Sequence, residues 1–163
     1  MIILVMGVEG SGKSTLGRAL AESMGWTFAD GDDFHSAANK KKLHNGIALT
    51  DQDRAPWVSA MHAEILRWRT SRTNAVLAAS ALREIYRQQI FEGVPESDYH
   101  VVYLCGPQDL LEERVHTRVG HFASPTLLGS QMRTLEPPKN AIDISIGQTV
   151  QEQVNEIRSA LRL

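Results

Sequence analysis

The 163-residue sequence has a single cysteine and no excess of charge of either sign. Because Cys105 is the only cysteine, an internal disulfide is excluded, and a reducing compartment is the simplest expectation. Seventeen basic residues stand against 19 acidic ones, which gives a net charge of −2. A general surface for nucleic acid or for a membrane would need a basic excess, so both are disfavoured as partners.

Long hydrophobic runs are also missing. The apolar stretch from Met1 to Met6 is too short to cross a membrane, and it lacks the basic start and cleavage site of a signal peptide. We therefore expect a cytoplasmic protein. The length fits one domain over 1–163, and the apolar and charged fractions of 42% and 22% are those of globular proteins.

Short apolar segments alternate along the chain with segments of helical spacing. Several of the apolar segments have no polar position, as is typical of strands that are covered on both faces. The pattern predicts an α/β fold, with a five-stranded parallel sheet and helices on both faces. The expected strands are Ile2–Met6, Trp26–Ala29, Ala75–Ala79, Tyr99–Leu104 and Ala141–Ile146.

The helical segments carry start signals and apolar faces. Pro56 and Pro107 suit the first turn of a helix, and Thr149 with Glu152 forms a capping box. The spacing places Trp57 and Trp68, Ile85, and Val150 on inward faces of three different helices. Two connections, about 30–52 and 120–140, are longer than the fold requires, and such connections usually carry function.

Residues 7–14 read Gly-Val-Glu-Gly-Ser-Gly-Lys-Ser and fit the phosphate-binding pattern GxxxxGK[ST] at every fixed position. The glycines let successive backbone N–H groups point at one phosphate, and the following helix presents its positive end to it. Lys13 is expected on the β- and γ-phosphates, Ser14 on Mg²⁺ and Thr15 near the α-phosphate. The predicted ATP site comprises Gly7, Glu9, Gly10, Ser11, Gly12, Lys13, Ser14 and Thr15.

Three carboxylates, Asp30, Asp32 and Asp33, follow the second expected strand. In an open parallel sheet that position lies beside the phosphate loop, where ligands bind. A kinase that acts on an alcohol needs a carboxylate to orient the attacking hydroxyl or to accept its proton. We assign Asp32 to this task and Asp30 to Mg²⁺, with a solvated turn as the alternative.

Further segments form a recognisable series, in order along almost the whole chain. Taken together they resemble the bacterial-type gluconate kinases of the P-loop group that includes shikimate and nucleotide kinases. The phosphate loop is shared by many proteins, whereas DxDRxPW and GHF are far more discriminating. The segments are Asp30-Gly31-Asp32 with His35 and Asn39; Lys42-Leu43 with Gly46; Leu49, Asp51, Asp53-Arg54 and Pro56-Trp57; Ser80-Ala81-Leu82-Arg83 with Tyr86-Arg87; Gly120-His121-Phe122; and Ser130-Gln131 with Leu135-Glu136-Pro137.

The resemblance implies transfer of the ATP γ-phosphate to the 6-hydroxyl of D-gluconate. It also implies an acceptor-binding region at about 30–56, a lid at about 117–138 and a homodimer. A small hydroxyl-rich acid needs a cation at one end of its pocket, and Arg54 or Arg83 can clamp a carboxylate with its planar fork. The implied substrate-binding residues are Asp32, His35, Arg54, Arg83, His121 and Gln131.

Two alternatives stay open for these arginines and their neighbours. Arg54 can instead pair with Asp51 or Asp53 on a helix surface, and Arg87 suits a solvated or structural role better than a ligand contact.

Arg114 and Arg118 end the helix before Gly120, and in related kinases arginines there close over ATP with the lid. We expect Arg118 at the β- and γ-phosphates, as a catalytic residue with Lys13 and Asp32, and Arg114 on the nucleotide. A helix dipole also favours basic residues at that end without any ligand.

Other functions fit the sequence less well. A shikimate-like kinase shares the loop and the paired aspartates, but it would be expected to show a glycine-rich turn where Ala78-Ala79-Ser80-Ala81-Leu82 stand. A nucleoside monophosphate kinase is disfavoured by the segments quoted above. A GTP-dependent switch needs an NKxD motif, which the sequence lacks. A non-catalytic nucleotide-binding module is disfavoured by the presence of Lys13, Ser14 and Asp32 together.

Overall fold

The computed structural model describes residues 1–117 and 125–163, which form five strands and seven α-helices. The strands are β1 Ile2–Met6, β2 Thr27–Asp30, β3 Ala75–Ala78, β4 Tyr99–Cys105 and β5 Ile142–Ser145. The helices are α1 Lys13–Met24, α2 Ala37–His44, α3 Asp51–Thr70, α4 Glu84–Ile90, α5 Gln108–Thr117, α6 Pro125–Thr134 and α7 Val150–Leu161.

All five strands are parallel and lie in the order β2-β3-β1-β4-β5, which confirms the predicted sheet. The register decides where the site lies. Asp30 at the end of β2 lies opposite Ala78, and Ala78 also lies opposite Val5 near the end of β1. Because the carboxyl ends of parallel strands meet at one edge, the loop after β1 and the aspartates after β2 are neighbours.

The sheet separates two hydrophobic cores, so the prediction of helices on both faces is correct. Alternate residues of β1 point to opposite sides: Ile3 and Val5 pack with α1, α5, α6 and α7, whereas Ile2, Leu4 and Met6 pack with α3 and α4. Every residue of β1 is at most 1% exposed. Such double-sided burial explains why this strand is apolar at every position.

The start of α3 differs from the prediction. The helix begins at Asp51, with Thr50 as its cap and Asp53 completing a capping box, so Pro56 is the sixth helical residue and not the first-turn residue. Proline there removes one helical hydrogen bond, and the capped first turn and the buried apolar face outweigh that loss. The earlier start places Asp51 and Arg54 on one helical turn, which matters for the site.

Helix α6 was not expected, because Pro125 and Gly129 suggested breaks in the segment that contains it. Ile85 and Val150 were predicted to face inward, and both predictions are wrong, since these residues are 43% and 37% exposed. Helix α4 begins at Glu84 and not at Leu82, which turns Ile85 outward, and Val150 is the first residue of α7. No helix within the described ranges is long and apolar enough to cross a membrane.

Candidate active site

The phosphate loop joins β1 to α1 in a conformation that requires glycine. Gly10 and Gly12 have φ angles of 79° and 95°, in the left-handed region. A Cβ at Gly7 would lie 2.7 Å from Ser11 Oγ, and one at Gly10 would lie 2.9 Å from Val115 Cγ2 on α5. The backbone therefore curls closely, with room for the loop's own groups and not for additional side chains.

Several polar groups of the loop are suited to a phosphate. The N-cap residue of α1 is Gly12, which has no side chain to bond the first helical N–H groups. Such N–H groups at a helix N-terminus suit a phosphate. Ser11 Oγ is buried and has no hydrogen-bond partner in the described part of the chain. Lys13 Nζ donates to the carbonyl oxygen of Val8 at 3.0 Å, inside the same loop. These groups, with Ser14 and Thr15 in the first turn of α1, match the donor set that a nucleotide phosphate needs.

The aspartate turn is fixed against the sheet and against α3. The carboxylate of Asp30 accepts the backbone N–H of Asp32 at 3.0 Å, at the start of a short 3-10 turn from Gly31 to Phe34. Trp57 Nε1 on α3 donates to the carbonyl oxygen of Gly31 at 2.7 Å. A Cβ at Gly31 would lie 2.8 Å from the carbonyl oxygen of Ala78, so the turn lies tightly against the end of β3. Asp32 is therefore held by the backbone in a fixed direction.

The electrostatics of Asp32 suit a proton acceptor. Desolvation by the surrounding protein raises the pKa of its carboxyl group, Lys13 lowers it, and Asp30, Glu9 and Asp33 raise it further. The residue is solvent-accessible where the cavity opens, but protein atoms shield its carboxylate enough for desolvation to be the largest effect. Asp32 thus lies within electrostatic range of the lysine that is expected to contact the transferred phosphate.

A cavity extends from Asp32 between α3, α4 and α6. Among its described lining residues Arg54 is the only lysine or arginine. Its carboxylates, Glu9 and Asp32, belong to the phosphate loop and the aspartate turn. The lining comprises Glu9, Asp32, His35, Leu43, Ala48, Leu49, Arg54, Trp57, Ser80, Ala81, Leu82, Tyr86, Leu127, Ser130, Gln131 and Thr134. Of the six predicted substrate-binding residues, the structure brings Asp32, His35, Arg54 and Gln131 together.

His35 is a neutral group in this cavity. Its ring stacks on Trp57, with centroids 4.7 Å apart and planes 8° from parallel. Burial, with smaller contributions from Lys40 and Arg54, lowers its pKa from 6.5 to about 4. Its Nδ1 is buried and has no hydrogen-bond partner within the described residues. An uncharged imidazole with an unused ring nitrogen suits a substrate hydroxyl better than a carboxylate.

Arg54 lines the cavity and also pairs with Asp51, so the surface pairing considered from the sequence occurs, and the contact with substrate stays a prediction. Its Nη1 lies 3.7 Å from the Asp51 carboxylate and 3.4 Å from the Tyr86 hydroxyl. Asp53, the other carboxylate considered for Arg54, instead accepts from Lys42 Nζ at 2.8 Å. Arg83 is not among the cavity-lining residues. It pairs with Asp51 at 3.1 Å and approaches Glu136 at 3.8 Å in the adjacent cleft, so its contact with substrate stays a prediction.

Arg87 has the structural role that was favoured for it. Its side chain is 6% exposed and donates to the carbonyl oxygens of Ala81, Leu82 and Glu136. These bonds hold the chain between β3 and α4, which carries part of the cavity wall, and they tie it to the segment after α6. Arg87 therefore supports the site without lining it.

Helix α6 covers the cavity and contacts the phosphate loop. Gln131 Oε1 accepts the backbone N–H of Glu9 at 2.6 Å. On the nucleotide side, Arg114 Nη2 donates to the carbonyl oxygen of Ile146 at 2.6 Å, and its Cβ lies 3.8 Å from where a Gly10 Cβ would be. Arg114 thus lies next to the loop, and its contact with the nucleotide stays a prediction. Arg118 and His121, and with them the centre of the expected lid, lie outside the described residues.

The two residues expected to hold Mg²⁺ lie at the same edge of the sheet. Ser14 is in the first turn of α1, and Asp30 ends β2. The described residues contain no group of three or more His, Cys, Asp or Glu side chains that could hold a metal by themselves. Magnesium in kinases is usually bound through substrate phosphates, waters and one or two protein oxygens, so its binding by Ser14 and Asp30 stays a prediction.

The sequence reasoning missed Tyr86 and Asp51 as parts of the site. Tyr86 was recognised within a family-like segment, but it was assigned only to the core. The usable signal was the spacing of Arg83 and Tyr86, three residues apart on one helical face directly after β3. Ser130 and Thr134 were missed because the helix that carries them was not expected.

Comparison with known proteins agrees with this geometry. Residues 2–138 match the family model described as an AAA domain. The chain is 42% identical to a probable gluconokinase of Rattus norvegicus, over 99% of this chain and 97% of that protein. It superposes on the crystal structure of a gluconokinase from Sinorhizobium meliloti 1021 with a TM-score of 0.86, at 39% identity, covering 98% and 90% of the two chains. An unliganded sugar kinase from Janibacter gives a TM-score of 0.90 at 33% identity, covering 99% and 94%. The chain belongs to the gluconokinase family of P-loop kinases.

Proposed function

We propose that the protein transfers the γ-phosphoryl group of ATP to the 6-hydroxyl of D-gluconate, giving 6-phosphogluconate and ADP. The observation that carries this proposal is the polarity of the cavity. Asp32 lines it from the aspartate turn and Glu9 from the phosphate loop. Arg54, the one lysine or arginine among the described lining residues, lines it from a different element, α3. A linear sugar acid has a matching polarity, with a terminal hydroxyl at one end and a carboxylate at the other.

The pKa values support this orientation. Lys13 lowers the pKa of Asp32, and Arg54 helps to lower that of His35. The lysine of the phosphate loop thus acts on Asp32, and the arginine of α3 acts on His35. We propose that the 6-hydroxyl binds at Asp32, that inner hydroxyls lie near the neutral imidazole of His35, and that the carboxylate binds the guanidinium of Arg54.

The chemistry follows from positioning and charge. The 6-hydroxyl oxygen forms a bond to the γ-phosphorus as the bond from that phosphorus to the β–γ bridging oxygen breaks. Asp32 orients the hydroxyl and accepts its proton, and its raised pKa makes it a stronger base than an ordinary aspartate. Lys13 leaves the Val8 carbonyl to neutralise charge on the β- and γ-phosphates.

The remaining nucleotide contacts come from the loop and its neighbours. Backbone N–H groups of the loop and the start of α1 bind the phosphates, with the Ser11 hydroxyl as a further partner. Thr15 is assigned to the α-phosphate, Arg114 to the nucleotide and Arg118 to the β- and γ-phosphates. Mg²⁺, when bound with ATP, supplies charge neutralisation to the phosphates, and Ser14 and Asp30 are the residues that would hold it.

Five further assignments carry over from the sequence as predictions. His121 and Arg83 are proposed as additional acceptor contacts, and Gln131 as an acceptor contact once it leaves the Glu9 N–H. The protein is proposed to act as a homodimer in the cytoplasm, and the dimer can be checked by sedimentation equilibrium.

A substrate panel tests the proposal. Purified protein with ATP and Mg²⁺ is assayed for ADP formation with D-gluconate, shikimate, glycerate, other sugar acids, AMP and CMP. We expect strong turnover with D-gluconate alone. Turnover with a different acceptor would keep the kinase mechanism and overturn the substrate. ADP formation that does not depend on any of these acceptors would overturn both.

A further inference from the structure

Arg54 can recognise a carboxylate reliably only if its guanidinium is held in place. An arginine side chain is long, and fixing it costs conformational entropy unless neighbouring groups hold it. Here the neighbours are Asp51, one turn earlier on α3, and Tyr86 on α4. Neither was assigned a role in the reaction above.

Tyr86 is a buried and therefore rigid contact for the Arg54 side chain. It is 6% exposed and belongs to the core that packs beneath α3 and α4. Its hydroxyl donates to the Asp51 carboxylate, so its single proton is committed there and its oxygen can only accept from the cavity side. Arg54 Nη1 donates to that oxygen, and the guanidinium lies 5.7 Å from the ring centroid, within the range of a cation–π contact.

Asp51 holds three groups at once. It accepts from Tyr86, pairs with Arg83 at 3.1 Å, and lies farther from Arg54, at 3.7 Å. The hydrogen bond from Tyr86 is the largest effect lowering the pKa of Asp51, which keeps the carboxylate ionised. Because Arg83 lies outside the cavity and takes the shorter ion pair, Asp51 steadies Arg54 without neutralising it fully.

We propose that Asp51 and Tyr86 are positioning residues that aim Arg54 at the acceptor carboxylate, and that they set the preference for a sugar acid over its neutral amide. This inference rests on the proposed phosphorylation of gluconate. Tyr86 also lines the cavity, so its oxygen can accept a hydrogen bond from an acceptor hydroxyl near the carboxylate end. Asp51 is not among the lining residues and acts through the other two.

The test compares D-gluconate with D-gluconamide, which differs only in the charge of the terminal group. Wild type is expected to favour gluconate in kcat/KM. Asp51→Asn and Tyr86→Phe are each expected to raise the KM for gluconate about tenfold, because each removes a hydrogen bond to a charged group. The KM for ATP stays unchanged, and the preference for gluconate over gluconamide falls. Asp98→Asn, which breaks the distant Arg69–Asp98 pair at 3.0 Å, is the matched control.

A double-mutant cycle separates positioning from general damage. Because both side chains act through one hydrogen bond, the double variant is expected to lose about as much as either single variant. Additive losses, or an unchanged ratio of gluconate to gluconamide in both variants, would overturn the inference. Tyr86→Phe retains the aromatic ring, so the kinetic effect can still be measured in this variant if Asp51→Asn fails to fold. Failure of wild type to use gluconate would overturn the proposed function itself, which is a different result from unaffected variants of an active enzyme.

Discussion

Gln131 on α6 holds the backbone N–H of Glu9 in the phosphate loop, at 2.6 Å. One N–H hydrogen cannot point fully at a side-chain amide and at a phosphate oxygen at the same time. In this arrangement the helix that covers the cavity therefore occupies a donor of the proposed nucleotide site. This hydrogen bond links α6 to the phosphate loop.

Gln131→Ala is expected to strengthen the binding of ATP and to weaken that of gluconate. Removing the competing acceptor frees the Glu9 N–H, so ATP alone should bind about threefold to tenfold more tightly, the range of one net hydrogen bond. The KM for gluconate should rise, because α6 loses a tie across the cavity. Calorimetric titration with ATP and steady-state kinetics measure the two effects. Thr126→Ala, on the same helix, is the control. Equally weakened binding of ATP and of gluconate in Gln131→Ala would contradict the prediction.

Lys13→Ala should lower turnover at least ~100-fold while the fold survives. Within the described ranges the lysine donates to the Val8 carbonyl of its own loop, a bond that costs little to lose, whereas the transition state loses a cation. Turnover and thermal unfolding of the variant, compared with Lys139→Ala on the surface, measure this. A Lys13→Ala rate close to that of wild type would remove the residue from the mechanism.

Asp32→Asn should lower turnover at least ~100-fold and yet stabilise the fold near neutral pH. The pKa of Asp32 is raised in the folded protein, so the ionised group destabilises the native state once the pH is above that folded value. The penalty is absent below the unfolded value of 3.8 and grows as the pH rises through the folded pKa. Melting temperatures of the two proteins measured across this range should diverge as the pH rises. Parallel curves would show that the carboxylate is not desolvated.

His35 lowers the stability of the fold as the pH falls, whereas Asp32 lowers it as the pH rises. Its folded pKa of about 4 lies below the ordinary 6.5, so the unfolded chain binds a proton first as the pH falls. Stability contributed by the neutral ring is present above pH 6.5 and is lost as the pH falls toward 4. His35→Gln should flatten that part of the stability profile, with exposed His116→Gln as control. An unchanged profile would mean that His35 titrates normally.

The phosphate loop, the sheet and the aspartate turn were predictable because each depends on local signals. Six residues between an apolar strand and an amphipathic helix form the loop, and register then places Asp30 beside it. The arrangement around Arg54 was not predictable in the same way. It depends on α3 starting at Asp51, after its cap Thr50, and on contacts between residues more than 30 positions apart, such as Asp51 with Tyr86. The capping pair Thr50 and Asp53 precedes Pro56 in the sequence, but the proline was taken as the first turn of α3.

Identifying the product of the reaction with D-gluconate is the most direct test of the account. Protein, Mg²⁺, ATP and gluconate are incubated together, and the product is analysed by phosphorus–proton correlation spectroscopy with ADP measured in parallel. We expect one phosphate ester on the C6 oxygen, formed in equal amount to ADP. Phosphate on any other oxygen, or ADP without a phosphorylated acid, would contradict the placement of the 6-hydroxyl at Asp32 and the carboxylate at Arg54.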